Sequence, residues 1–242
     1  MKRVFSFQII NQSFKSVWIW WLISIIITAV NLFAFPTSAG AKGIDMLAMF
    51  AHEGLGGNGV IFVTICAILF SNVFLTSEVD RGTLAITLNT PTTRLKILSS
   101  KAVVYIVLLV SISWLSGVLG ALSPIVHDFT FDYDKWWVII ALWSLYSFAV
   151  GGIAFAIGCW FNKSRYTLAI TAAVLGLFFF MNMFAMMESL EFCKYFTLQT
   201  LFDMNKIIEG KSVIMEMIVF AAVAIPLYAI GAIKFLKKDL PL

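Results

Sequence analysis

Six long apolar stretches separated by short polar connections organise the chain. They cover roughly 17–35, 57–76, 102–123, 137–160, 167–187 and 213–236. Each approaches the length of about 20 residues that a helix needs to cross the hydrocarbon core of a bilayer. Runs such as 103–110 (VVYIVLLV) and 174–180 (VLGLFFF) show none of the apolar–polar alternation of a membrane barrel. Helices are therefore required, because lipid offers no partner to a free backbone N–H or C=O. The pattern predicts an all-α polytopic membrane protein, a single transmembrane domain over 1–242.

Three segments outside the spans carry structure of their own. In residues 1–16, Phe7, Ile10, Phe14 and Val17 recur at helical spacing between Arg3, Ser6, Gln8, Gln12, Ser13 and Lys15. This predicts an amphipathic helix lying in the interface before the first span. Residues 188–212 place Phe192, Tyr195, Phe196, Leu198, Leu201 and Phe202 among acids and lysines, which predicts one or two short helices at the outer surface. The third segment, 77–94, connects the second and third spans. The first apolar run exceeds the 7–15 residues of a signal-peptide core, so it reads as an uncleaved span despite Ala39-Gly40-Ala41.

Composition agrees with the pattern and charge orients it. Of the 242 residues, 61% are hydrophobic and 12% charged, against about 25% charged in soluble domains. Mean hydropathy is +0.94. The net charge of +4 sits in short tracts beside apolar runs, which points to membrane orientation and away from nucleic acid. With the N-terminus inside, 12 of the 17 basic residues face the cytoplasm, while only Glu78, Asp80 and Asp239 of the 13 acids do. Both termini are thus expected inside, as an even number of spans requires. Trp18, Trp20 and Trp21 are expected at one interface and Trp136 and Trp137 at the other. Cys66, Cys159 and Cys193 form no CxxC, so neither a disulfide framework nor a metal site is indicated.

The connection from Ser77 to Arg94 is longer than a turn between helices needs. Ser77 stands at a helix-cap position with Asp80 at capping-box spacing, and Glu78 and Asp80 suit a first turn. Leu84 and Leu88 share one face. Thr90-Pro91 supplies a second helix start, and Arg94, Lys96 and Lys101 mark the inner end of the third span. A short helix with apolar knobs and charged ends suits either a groove on a soluble partner or the lipid surface.

Glu78, Arg81-Gly82-Thr83-Leu84, Pro91, Arg94 and Lys101 together resemble the signature region of ABC-2 type transporter permeases. Chain length, six spans, both termini inside and the amphipathic N-terminal helix extend the resemblance. It implies that 77–94 is a coupling helix seated in a cleft of a separate ABC ATPase subunit. Glu78, Asp80, Arg81, Gly82, Thr83, Leu84, Leu88, Pro91 and Arg94 would form that interface. It implies a dimer of permease subunits, a homodimer in the simplest case, in a bacterial cytoplasmic membrane. ATP and Mg²⁺ would be bound by the partner and no cofactor by this chain. The general likeness is to small exporter permeases of the phenol-soluble modulin and antimicrobial-peptide kind, and residues 188–212 resemble the lid of the exit path. The chain holds no G-x-x-x-x-G-K-[ST], so any ATP-driven motor lies in another polypeptide.

Other residues bear on rival functions. Asn31, Asn72, Ser113 and Asn182 are polar positions inside spans and candidates for a substrate path, although such residues more often bond helix to helix. No span has an obvious central charge, which argues against a proton relay. Gly151, Gly152, Ala154 and Gly158 suit close helix approach, within the subunit or between subunits. His52 and His127 lack the third ligand of a metal site. The absence of H-E-x-x-H, with both histidines outside the spans, leaves an intramembrane enzyme poorly supported. A non-transporting sensor or immunity subunit on the same scaffold remains the alternative to an exporter permease.

Overall fold

A computed structural model describes residues 7–38, 46–83, 93–128, 130–185, 187, 190, 192, 193, 195 and 197–238. The elements are α1 (Phe7–Ser38), α2 (Met46–Asp80), α3 (Arg94–His127), α4 (Tyr133–Trp160), α5 (Ser164–Phe184), the short α6 (Met204–Ile208) and α7 (Ile214–Lys237). Among the described residues there is no strand, and six helices are long and apolar enough to cross a membrane.

Two helices are longer than the hydropathy pattern suggests. Residues 7–16 and the first span form one uninterrupted helix. The second span begins at Met46, three turns before the expected start near 57. The Gly-rich run Gly54–Gly59 straddles the expected start, and the chain stays helical through it by widening its turns. The Val60 N–H reaches Leu55 O, a π-helical bond, and a second π-helical stretch covers Asn72–Thr76. Phe50, Leu55 and Val60 are buried along this extension and hold it in the bundle. At 34 residues, α3 is about 50 Å long, well beyond the roughly 30 Å of hydrocarbon.

The centre of the bundle is α4. Of its most apolar stretch 72% is buried, against 17% for α5 and 22% for α7. It packs on α7, α3 and α2, while α1 packs on α3. Lipid tails supply no hydrophobic force between helices, so the fit rests on close packing and hydrogen bonds. The small residues of α4 serve contacts within the chain. Gly151 faces Leu109 and Tyr228, Gly152 faces Ala224, and Gly158 faces Ser71 and Leu75. Buried donors reach across to neighbouring backbones. The Tyr105 hydroxyl lies 3.0 Å from Gly151 O and 3.2 Å from Ala67 O, and Ser113 and Ser147 pair at 3.0 Å.

The aromatic belt is only half as expected. Trp18 and Trp20 are exposed at one end, but Trp136 is fully buried and donates to Gly117 O at 3.0 Å. Its ring fills the space left by Gly120, where a Cβ would stand 2.8 Å from the indole and 2.7 Å from Leu32 Cδ1. Trp137, beside it, stacks on Trp114 with ring centroids 6.1 Å apart.

This packing makes Gly120 and Gly176 opposite cases, since a side chain at Gly176 meets nothing within 4 Å. Gly120→Val is expected to cost about 1–3 kcal/mol through overpacking and to lower the midpoint of thermal unfolding in detergent. Gly176→Ala leaves that midpoint unchanged or raised.

Candidate functional site

The signature region starts where α2 ends. Ser77 is not a cap: residues 77–80 prolong α2, because Phe74, Leu75 and Val79 keep its inner face buried. The chain breaks at Arg81-Gly82, inside the stretch expected to form one short helix from Ser77. The Arg81 N–H closes on Ser77 O at 3.0 Å and the Gly82 N–H on Val79 O at 3.1 Å. Gly82 has φ +71, the left-handed conformation that ends helices and that residues with a Cβ adopt at a cost. Thr83 is helical again, its hydroxyl 3.3 Å from Glu78 O. Arg81, Gly82 and Thr83 are all exposed. Leu84, Leu88 and Pro91 lie outside the described residues, as does Thr90. The cap of α3 is Thr93, whose hydroxyl accepts from the Lys96 N–H at 3.3 Å.

The charged residues on either side of this break are tied into three other helices. Glu78 Oε2 meets Lys101 Nζ at 2.6 Å. Lys101 is 4% exposed and also donates to Phe74 O at 2.7 Å. A lysine buried this far must be paired, and the two contacts bind α2 to α3. Asp80 Oδ2 accepts from the Ser164 N–H at 3.0 Å, placing a carboxylate on the N-terminal turn of α5, where the helix dipole favours it. Arg94 donates to Lys238 O at 3.1 Å. The Lys238 ammonium donates to Cys159 O at 3.1 Å and Phe161 O at 2.6 Å, cationic at a helix C-terminus as the dipole prefers. Burial pushes its pKa down to about 8. Deeper in the bundle, Thr76 donates to Gly158 O at 3.0 Å and pairs with Thr167 at 3.0 Å.

The candidate path residues divide into two groups. Asn31 accepts from Asn58 at 3.0 Å and donates to Ile27 O at 2.7 Å, and Ser113 is paired with Ser147. Both bond helix to helix. Asn72 and Asn182 are different. Asn72 is buried, yet among the described residues its Oδ1 has no partner, and the same holds for Thr171 Oγ1 on α5. Asn182 lines a cleft of about 840 Å³ at the end of the bundle away from Glu78, together with His52, Glu53, Thr200, Asp203 and Asn205. An apolar cavity of about 230 Å³ lies beside it, between α2, α4 and α5. Phe179 and Gln199 line both.

Residues 197–211 cover that end of the bundle with a 3₁₀ turn, Gln199–Leu201, and α6. They are fastened by Thr197 to Phe178 O at 3.1 Å, Lys135 to Ile208 O at 3.0 Å and Lys206 to Glu216 at 2.5 Å. The Glu216 carboxylate beside Lys206 raises the pKa of that lysine. His52 takes part as well, its Nε2 2.9 Å from Asn205 Oδ1.

Sequence reasoning missed Thr76, Thr167, Lys238 and the partners of Asp80. Lys238 had one readable signal: a base just beyond the last span. For Thr76 and Thr167 none was available, since they meet only in the folded bundle. Lys101 was in the motif, but its partner was not evident.

Glu78→Gln strands a buried ammonium and is expected to cost about 3 kcal/mol. Glu78→Gln/Lys101→Met restores most of that loss, because both charges leave together. Thermal unfolding of the two variants beside the wild type checks both.

No curated protein sequence matches the chain. A family model described as ABC-2 family transporter protein matches residues 10–240, which takes in all six spanning helices, the break at Arg81-Gly82 and the covered cleft. Its members are membrane components of transporters, not themselves catalytic, and generally work with an ABC ATPase subunit. The chain belongs to the ABC-2 family of transporter proteins.

Proposed function

We propose that this chain is the permease subunit of an ATP-driven exporter of apolar or amphipathic substrates, peptides among them, and that residues 77–94 couple it to a separate ATPase. The observation that carries the reading is the break at Arg81-Gly82. It leaves Arg81 and Thr83 exposed at the end of α2, while Glu78, Asp80 and Arg94 tie the flanks of the same segment to α3, α5 and the end of α7. A push on this connection is therefore passed to three helices at once. The packed helices move as bodies, with little give inside each contact.

In this reading both termini and the Glu78 end face the cytoplasm of a bacterial cell, as the distribution of basic residues favours. Two permease copies enclose the path. ATP and Mg²⁺ bind the partner subunits, whose closure tilts the bundles and switches access from inside to outside. The cleft lined by Asn182 then lies on the outer side, beneath the cover formed by residues 197–211.

Affinity-tagged wild type and Arg81→Glu/Leu84→Asp, purified from native membranes in mild detergent, test the coupling. A P-loop ATPase is expected with the wild type. Recovery falls on the order of tenfold with the variant, the effect of placing like charge and a buried carboxylate in an interface. The variant keeps its thermal midpoint. Absence of an ATPase with the wild type, even with a non-hydrolysable ATP analogue, overturns the reading.

A further inference from the structure

The two cavities beside α5 have opposite chemistry. The inner one is walled by aliphatic and aromatic groups such as Ile65, Ile68, Leu175 and Phe178, with Thr64 and Tyr146 as its few polar members. Its volume of about 230 Å³ exceeds the roughly 150 Å³ apolar cavity that takes up benzene. The outer cleft, at about 840 Å³, lies within the range of small-molecule sites, about 300–1,000 Å³. Besides His52, its ionisable lining residues are two carboxylates, Glu53 and Asp203, with neither lysine nor arginine among them. Among the described residues neither carboxylate makes an ion pair. Asp203 only caps α6, accepting from the Asn205 N–H at 3.1 Å. The closest base in sequence, Lys206, is turned to Glu216.

The seam between α2 and α5 adds a separate observation. Thr76 and Thr167 pair across it, which sets the register of two antiparallel helices. One turn towards the inner cavity stand Asn72 and Thr171, both buried, each with an oxygen that has no partner. One turn further stand Ile68 and Leu175, which line the inner cavity. Among the described residues these two oxygens are unbonded, so the inner cavity ends, one turn beyond Ile68 and Leu175, in a polar floor that bounds its apolar part.

We propose that the two cavities are one binding site for a cationic amphiphile, with its apolar part in the inner chamber and its positive head between Glu53 and Asp203. Phe179 and Gln199, which border both chambers, stand at the junction of tail and head. An anionic head meets two carboxylates there, with no lysine or arginine lining the cleft, and is disfavoured by like-charge repulsion. This assignment names the cargo class within the permease reading above.

The test uses the full chain in phosphatidylcholine nanodiscs, without the ATPase, and two photoactivatable alkyl diazirines of equal length. One probe has a trimethylammonium head and the other a sulfate head. Mapped by mass spectrometry, the ammonium probe is expected to label α2 and α5 around Ile65 and Phe179 on the order of tenfold more than the sulfate probe. Glu53→Gln/Asp203→Asn removes that preference, and asparagine preserves the helix cap, so the variant keeps its fold. Equal labelling by the two probes, undiminished preference in the variant, or labelling confined to other helices overturns the proposal. Because no ATPase is present, such a result leaves the co-purification outcome standing, and loss of co-purification leaves head-group selectivity standing.

Discussion

Hydrocarbon contains nothing that donates or accepts a hydrogen bond, and the architecture follows from that. Each span must be helical, and most polar side chains within it find their partner in the protein. The partner is repeatedly a backbone carbonyl of a neighbouring helix, and three times that carbonyl belongs to glycine. Thr76 reaches Gly158 O, Tyr105 lies against Gly151 O and Trp136 reaches Gly117 O. A carbonyl already bonded within its helix has a second lone pair, and the missing side chain lets the neighbour approach it. The glycines of α3 and α4 thus set helix spacing and also provide docking points for large buried donors.

The same constraint explains why the charges are where they are. Lys101 and Lys238 are buried cations that donate hydrogen bonds to backbone carbonyls, Lys101 to Phe74 O in the π-helical stretch of α2 and Lys238 to Cys159 O and Phe161 O at the end of α4. Near helix ends carbonyls are freed from the ladder, so a cation there is bonded without breaking a helix. Glu78, Asp80, Lys101, Arg94 and Lys238 consequently gather at one end of the bundle. These contacts make that end of the bundle a polar base in which α2, α3, α5 and the end of α7 are fastened to one another.

Much of this was legible in the sequence. Six spans and helical class follow from apolar runs such as 103–110, because bilayer thickness fixes the required length. The break expected at Thr90-Pro91 lies outside the described residues, while the one at Gly82 falls inside the stretch read as a single short helix from Ser77, where only the positive φ of that glycine reveals it. Ser77 has the chemistry of a cap, yet Val79 and Leu75 fit the core and draw the helix past it. The extension of α2 to Met46 lies before the apolar run that begins near 57, and the helix passes through Gly54–Gly59 by wide turns, with Gly59 packed against Trp143. The pairing of Thr76 with Thr167 and of Lys101 with Glu78 depends on which helices are neighbours, and hydropathy says nothing of that. The sequence marked Asn31 and Asn72 alike. Only their surroundings separate them, one bonded on both sides and the other left with an open oxygen.

The length of α3 has a mechanical consequence. It is about 50 Å long and is held near its middle to α4 by Ser113–Ser147 and to α1 by Ser111 and Trp21. At its start it is gripped by Glu78 through Lys101. Such a rod works as a lever with its fulcrum at the serine contacts. A rotation of about 10° about that point swings each end by roughly 4 Å, given its length of about 50 Å. A small displacement of the connection beside Gly82 thereby reaches the far surface of the bundle, in the opposite direction, without any helix having to bend.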